Sequence, residues 1–344
     1  MKNKMLEKEN ILVIDLLYMG DLIFATPFFR QLRKNYPDSK IDIIVNSNFY
    51  DLIEDNPYFD KVIAYDKNWS IKDSYNFAKR IKKNNYDLGI NIHGNWRTIL
   101  LMYLISPDYN IGYGGDGKSI FLDKTIETTD DLHMVEVYLQ FLEKMGLKRY
   151  ENSKLELRVN EEAKISVQKF LDKKYKEKNL AKDKSLIALN TGGTWPTKRW
   201  PEFKFAKLAD KIIENGNEVI FVGGPSDKKR VEYIISMMEK DRVINATGKT
   251  NIKELAALVK KCDLVISNDS GPVHVTAAVG TKTITIFGPS DEKKYKPYGE
   301  IHEIVKTEID CRPCGEHDCP LGHHNCMEKI KAEDVMKKLY KFRL

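Results

Sequence analysis

The sequence predicts an α/β protein built from two Rossmann-like domains, each a parallel sheet covered by helices, facing a central cleft. Three observations predict it. Short apolar runs alternate with amphipathic stretches, as in strand–helix–strand units. The alternation occurs twice, on either side of a Lys- and Glu-rich stretch at 160–183. Most apolar runs end in a polar or Gly-rich loop, where open α/β sheets bind their ligands. A length of 344 residues suits two domains of this kind.

In the first half, residues 11–16 read as a strand, Tyr18 to Asp21 as a turn, and 22–35 as a helix. Within that helix, either Thr26 caps a segment starting at Pro27 or the helix kinks there. Strands follow at 41–45, 61–65 and 87–92, with a helix at 70–84. Residues 160–183 read as a surface helix and linker, with Ile165, Val167, Phe170 and Leu171 on one face. The second half places strands at 186–189, 218–222, 243–244, 264–267 and 283–287. Helices at 201–215, 227–239, 252–261 and 273–279 separate them. The expected division is a first domain at 1–165, a linker at 166–183, a second domain at 184–326, and a C-terminal helix at 327–344 that folds back on the first domain.

Composition narrows the function classes. Apolar residues make up 42% and charged residues 31%, enough for ordinary buried cores in a globular chain. No apolar run approaches the roughly 18 residues that span a bilayer. Met1 to Asn10 are polar with no cleavable apolar segment after them, which predicts a cytoplasmic protein. The net charge of +6 is spread among acidic residues, which argues against a nucleic-acid tract. Weak attraction to an anionic membrane or a phosphorylated substrate stays open, beside a plain solvated Lys-rich surface. Cys262 reads as a small core residue.

Five strand-end loops are candidates for the chemistry. At Met19-Gly20-Asp21 a carboxylate stands near a helix N-terminus, either as an N-cap or as a general base facing the cleft. The dinucleotide fingerprint G-x-G-x-x-G is absent there, which argues against NAD. The loop from Asn190 through Thr191, Gly192, Gly193, Thr194 and Trp195 to Lys198, Arg199, Trp200 and Pro201 joins small residues, hydroxyls and two cations ahead of a helix. That combination suits a diphosphate, with a polar loop pinned by two tryptophans as the alternative. Ser267-Asn268-Asp269-Ser270-Gly271-Pro272-Val273-His274 again ends a strand and starts a helix. Ser270 and the N–H groups of Gly271 and Val273 can hold phosphate oxygens, and His274 is either a further donor or structural. Gly223-Gly224-Pro225-Ser226-Asp227 and Phe287-Gly288-Pro289 lie at the same sheet edge.

Near the C-terminus, Cys311, Cys314, Cys319 and Cys326 follow a C-x2-C-x4-C-x6-C spacing, with His317, His323 and His324 among them. Four thiolates could hold zinc or iron as a structural staple; reduced thiols in a loop are the alternative.

Together these motifs resemble glycosyltransferase family 9, the heptosyltransferases. Gly20-Asp21 with Thr26-Pro27, Lys198-Arg199-Trp200-Pro201, Ser267 to Pro272 and Phe287-Gly288-Pro289 carry the resemblance, and the cysteine cluster is similar to the heptosyltransferase II branch. The resemblance implies a GT-B fold and an inverting transfer that requires no cofactor for catalysis. It implies an acceptor-side N-terminal domain and an ADP-sugar-binding C-terminal domain. By the same resemblance, Asp21 is the general base and Lys198 contacts donor phosphate. Asp269, Ser270, Gly271 and His274 match the donor motif, and Asp227 takes the position of a ribose-binding acid; Thr191 and Thr194, read from their own loop, add hydroxyl donors to the phosphate site, and Gly20 counts with the donor-binding residues. The implied donor is ADP-L-glycero-D-manno-heptose. The implied acceptor is the lipid A–core oligosaccharide, met at the inner face of the cytoplasmic membrane, with no nucleic acid involved. The rival readings are another GT-B enzyme, such as a UDP-sugar transferase or epimerase, and, from a different class, a metal-dependent nucleic-acid-binding protein.

Overall fold

The computed structural model describes residues 8–114, 117–129 and 131–344. Most of the polar opening stretch Met1 to Asn10, on which the expectation of a cytoplasmic protein rests, lies outside them. The chain forms two compact units, Met1–Glu156 and Leu157–Leu344.

The first unit contains, in order, β1 (Asn10–Asp15), α1 (Met19–Phe24), α2 (Thr26–Asn35), β2 (Lys40–Asn46), α3 (Tyr50–Ile53), β3 (Lys61–Tyr65), α4 (Ile71–Lys82), β4 (Leu88–Asn91), α5 (Trp96–Ile105), β5 (Asn110–Tyr113), β6 (Lys124–Ile126) and α6 (Met134–Lys144). Its sheet runs β3-β2-β1-β4-β5-β6, with every pairing parallel. Ile11 to Ile14 of β1 are fully buried, as expected of a central strand covered on both faces. Ser70 and Asn95 cap α4 and α5 by accepting the N–H groups of Asp73 and Thr98.

The expected helix at 22–35 is two helices, and the first begins earlier, inside the supposed turn. The break follows from Pro27. Its ring nitrogen cannot donate to Ile23 O, the carbonyl four residues back. The Thr26 hydroxyl donates to that carbonyl instead, at 2.7 Å. Of the two alternatives the break is the one observed, since the cap residue of α2 is Ala25.

The second unit contains α7 (Glu161–Lys178), β7 (Leu186–Asn190), α8 (Glu202–Glu214), β8 (Glu218–Val222), α9 (Lys228–Ser236), β9 (Val243–Asn245), α10 (Ile252–Lys261), β10 (Leu264–Asn268), α11 (Gly271–Ala278), β11 (Lys282–Phe287), α12 (Glu292–Tyr295), β12 (His302–Lys306), α13 (Asn325–Glu328) and α14 (Ala332–Tyr340). Its parallel sheet runs β12-β11-β10-β7-β8-β9, which repeats the strand order of the first.

Two expected boundaries move. The division falls after Glu156, ahead of the linker expected at 166–183. The helix α7 belongs to the second unit: Val167 and Leu171 are buried, it packs on α10, and Ser166 Oγ donates to Glu254 at 2.6 Å. The C-terminal helix, expected to fold back on the first domain, packs in the core of the second unit. Val335, Met336 and Leu339 of α14 join Phe205, Leu208 and Ile212 of α8 in the second unit's core.

Candidate functional site

In each unit the strand order reverses between the first strand and the fourth, and ligands of such sheets bind beyond the carboxyl ends there. In the second unit this point lies between β7 and β10. Side-chain amides sew the two following loops together. Asn190 Nδ2 donates to Ser267 Oγ at 2.8 Å and Ser270 Oγ at 2.9 Å. Asn268 Nδ2 donates to Thr191 O at 2.8 Å and Gly192 O at 3.1 Å, and its Oδ1 accepts Trp200 N–H at 3.1 Å.

Lys198 ends a 3-10 turn at Pro196–Lys198. Its Nζ lies 2.8 Å from Asp269 Oδ2 and 4.4 Å from the centre of the Trp195 ring. Asp269 is buried, so this ion pair fixes the cation where α11 begins. His274 Nε2 lies 4.0 Å from Asp269 Oδ1, and the ring is buried. Ser270 is the cap residue of α11 but makes no side-chain cap bond, its hydroxyl being engaged with Asn190. The Val273 N–H, expected to face phosphate, donates to Ser270 O at 3.1 Å. Gly271 opens the helix beside it.

Thr191 is buried with its hydroxyl oxygen lacking a hydrogen-bond partner, whereas Thr194 is exposed. Asp227 Oδ2 accepts Gly224 N–H at 2.9 Å. A Cβ on Gly192 would come within 2.7 Å of the same oxygen, so only glycine lets the β7 loop approach this carboxylate. Asp227 therefore closes the turn into α9 and joins it to the β7 loop.

The cysteine segment braces these loops. Thr197 Oγ1 donates to Glu316 O at 2.7 Å, and His324 Nε2 donates to Thr197 O at 2.6 Å. Arg312 Nε donates to Gly288 O at 2.9 Å, and its guanidinium pairs with Glu292 at 2.9 Å. The His317 ring lies 3.9 Å from that of Trp195. All four cysteines are free thiols. Burial, then the neighbouring Cys314, Cys311 and Cys319, push Cys326 up to about 11. The Cys319 thiol is lowered, chiefly by the His324 N–H. A structural metal is one of the two readings that the cysteine spacing allows. Among the described residues no group of three or more His, Cys, Asp or Glu side chains is arranged to hold a metal ion.

In the first unit, Asp21 is half-buried in the first turn of α1, next to Gly20. It is not the N-cap, which is Tyr18. The favourable helix-terminal field nevertheless reaches a carboxylate in a first turn.

Five further residues belong to this edge with no sequence motif to mark them: Asp15, Lys67, Asn91, His93 and Tyr113. Burial, reinforced by Asp21 and opposed by the Leu17 N–H and Lys67, brings Asp15 up to about 7. Burial and then Lys67 bring His93 down to about 4, and burial lowers Lys67. Burial, then Asp15, raises Tyr113. The one sequence signal was a carboxylate closing an otherwise apolar strand.

The family model for Glycosyltransferase family 9 (heptosyltransferase) matches residues 74–325. The chain is 25% identical over 327 residues to lipooligosaccharide heptosyltransferase 2 of Campylobacter jejuni, covering 93% of this chain and 94% of that one. The crystal structure of a family 9 glycosyltransferase from Veillonella parvula superposes with a TM-score of 0.86 at 30% identity, covering 98% of this chain and 97% of that one. The Escherichia coli ADP-heptose lipopolysaccharide heptosyltransferase II structure shares the fold, with a TM-score of 0.79 at 20% identity over 97% of this chain and 98% of that one.

Proposed function

The chain belongs to glycosyltransferase family 9, and we propose that it moves a heptose, with inversion, from ADP-L-glycero-D-manno-heptose to the inner core of lipopolysaccharide. The observation that carries this reading is the junction at Lys198 and Asp269. A fixed cation, a hydroxyl-lined loop and the start of α11 gather at the carboxyl ends of β7 and β10, which suits the diphosphate of a nucleotide sugar.

In the proposed reaction an acceptor hydroxyl oxygen bonds to the anomeric carbon. The bond from that carbon to the diphosphate oxygen breaks, and its electrons leave with ADP. Asp21 takes the hydroxyl proton. Lys198, Ser270 and the Gly271 N–H meet the charge that builds on the diphosphate; one such donor commonly contributes about 3 kcal/mol. Thr191, Thr194 and His274 are assigned to the same end of the donor, Gly20 to the turn that presents Asp21, and Asp227 to the nucleoside. Asp269 holds Lys198 in place.

The acceptor is a lipid, so the reading includes peripheral contact with the inner face of the cytoplasmic membrane. Among the described residues no helix is long and apolar enough to cross one. A stripe on α5 supports contact at the surface: Trp96, Leu100, Tyr103 and Leu104 are 38–55% exposed, and Ile120 is 79% exposed. Lys72, Lys79, Arg80 and Lys82 stand on α4, which packs against α5.

A donor screen with a defined core acceptor tests the function: transfer from ADP-heptose is expected and none from UDP-sugars. Asp21→Ala should lower turnover by roughly 10²–10⁴-fold while calorimetry finds ADP affinity unchanged. Near-normal turnover in that variant would remove Asp21 from the mechanism.

A further inference from the structure

The carboxyl edge of the first unit's sheet holds polar side chains to which the proposed reaction gives no work. Asp15, the last residue of β1, is 1% exposed. Its Oδ1 accepts the Leu17 N–H at 3.0 Å, and its Oδ2 is buried with no hydrogen-bond partner. Asn91 Nδ2, His93 Nδ1 and the Tyr113 hydroxyl are buried and unsatisfied as well. The parallel register sets Asn91 beside Ile14 on one side and Gly112 on the other, so the ends of β1, β4 and β5 bring these groups to one place. Buried polar atoms are nearly always satisfied, and four unmet ones at a switch point mark an edge kept for something other than stability.

Charged groups face Asp15 from several elements. Asp21 on α1 adds a like charge to its surroundings, and Lys67, in the segment after β3, an opposite one. Tyr113 faces it from β5, while His93 and Arg97 stand around Lys67. We infer that Asp15 is a positioning residue for transfer: its buried carboxyl, coupled to Asp21 at this strand edge, sets how strongly Asp21 takes up the acceptor's proton. The inference rests on the proposed role of Asp21 as the base.

Two neighbouring carboxyl groups resist carrying charge together, and their titrations are shared. Asp15 comes up to about 7, so it is neutral in mildly acidic solution and charged in mildly alkaline solution. Its charge opposes the charge on Asp21 and so strengthens Asp21 as a proton acceptor. Transfer therefore gains a rise with pH through the neutral range that a lone Asp21 would lack.

The test compares pH profiles of wild type and Asp15→Asn, which keeps the shape and the acceptor for Leu17 N–H. Wild-type kcat/KM for heptosyl transfer is expected to climb between pH 6 and 8 by roughly tenfold. In Asp15→Asn the climb should vanish, with kcat at pH 8 reduced and KM for the donor unchanged. A variant profile parallel to wild type overturns the inference. A readout independent of turnover is ¹³C-carboxyl NMR titration of the full chain. In Asp21→Asn the Asp15 midpoint should fall; an unmoved midpoint overturns the coupling. If wild type transfers no heptose at any pH, the functional reading fails, and the titration alone decides whether the two carboxyl groups are coupled.

Discussion

Asp15 closes a strand in which Ile11 to Ile14 are fully buried, so a charge placed there meets little solvent. The consequence for stability has a definite sign. The folded chain holds this proton up to about 7, whereas the ordinary value is 3.8. Between those limits the folded state binds more protons than the unfolded state, so stability falls as pH rises through the window. The full loss is on the order of 4 kcal/mol, reached above the folded value. Asp15→Asn should remove it: urea unfolding at pH 8 is expected to show the variant more stable than wild type, with the gap closing toward pH 4. A variant less stable at pH 8 would show that the carboxylate is better solvated than its burial implies. The residue scale is also where the sequence divides most sharply into readable and unreadable. Lys198 and Asp269 stood out separately as loop residues, and the fold joins them at 2.8 Å. Asp15, Asn91, His93 and Tyr113 did not stand out, because what distinguishes them is burial, and burial at β1 and β5 depends on β4 lying between them.

At the scale of elements, period and punctuation carried the reading where helices are amphipathic and strands apolar. The strand at Lys61–Tyr65 and the helix at Ile252–Lys261 match their expected bounds. The stretch from α5 to α6 escaped for a physical reason. Thr98, Ile99, Leu101, Met102 and Ile105 of α5 are buried, yet Trp96, Leu100, Tyr103 and Leu104 on the other side are apolar too, so no helical period shows. Under the proposed membrane contact, this apolar face beside a cationic helix would act as the interfacial surface, its rings and aliphatic chains entering the headgroup layer and the lysines meeting anionic lipid. Each aliphatic side chain so buried contributes about 1 kcal/mol or more. Replacing Leu100, Tyr103 and Leu104 together with glutamine should therefore reduce co-sedimentation with phosphatidylglycerol-containing vesicles at least tenfold, and transfer to a delipidated, soluble acceptor should be unaffected. Binding should also weaken with salt in wild type. Unchanged vesicle binding would reject this face as the membrane contact, and a change of oligomeric state in the variant would assign it to a second copy of the chain.

For the whole molecule, the repeated alternation of strands and helices was enough to show two α/β units, and both sheets adopt one strand order. Their boundary was harder to read because α7 has the composition of a linker. Its short buried stripe, Ala163, Val167 and Leu171, has meaning only once α10 is folded beneath it. Each unit has its own buried cluster, one around Leu12 and Ile44, the other around Leu189 and Phe221. A ligand that binds one unit in its folded state stabilises that unit by mass action, by about 2.7 kcal/mol at a hundred times its Kd. Amide hydrogen exchange can locate the effect, since the slowest amides report the global opening of the unit that contains them. With saturating ADP, the core amides of β7 and β10 should exchange roughly a hundredfold more slowly, and those of β1 and β4 should change little. Lys198→Ala should shrink the protection at any fixed ADP concentration, because it removes the cation that Asp269 holds in place. Equal protection of β1 and β7 would mean that ADP is not held by the second unit alone, and unchanged protection in Lys198→Ala would detach this lysine from the donor.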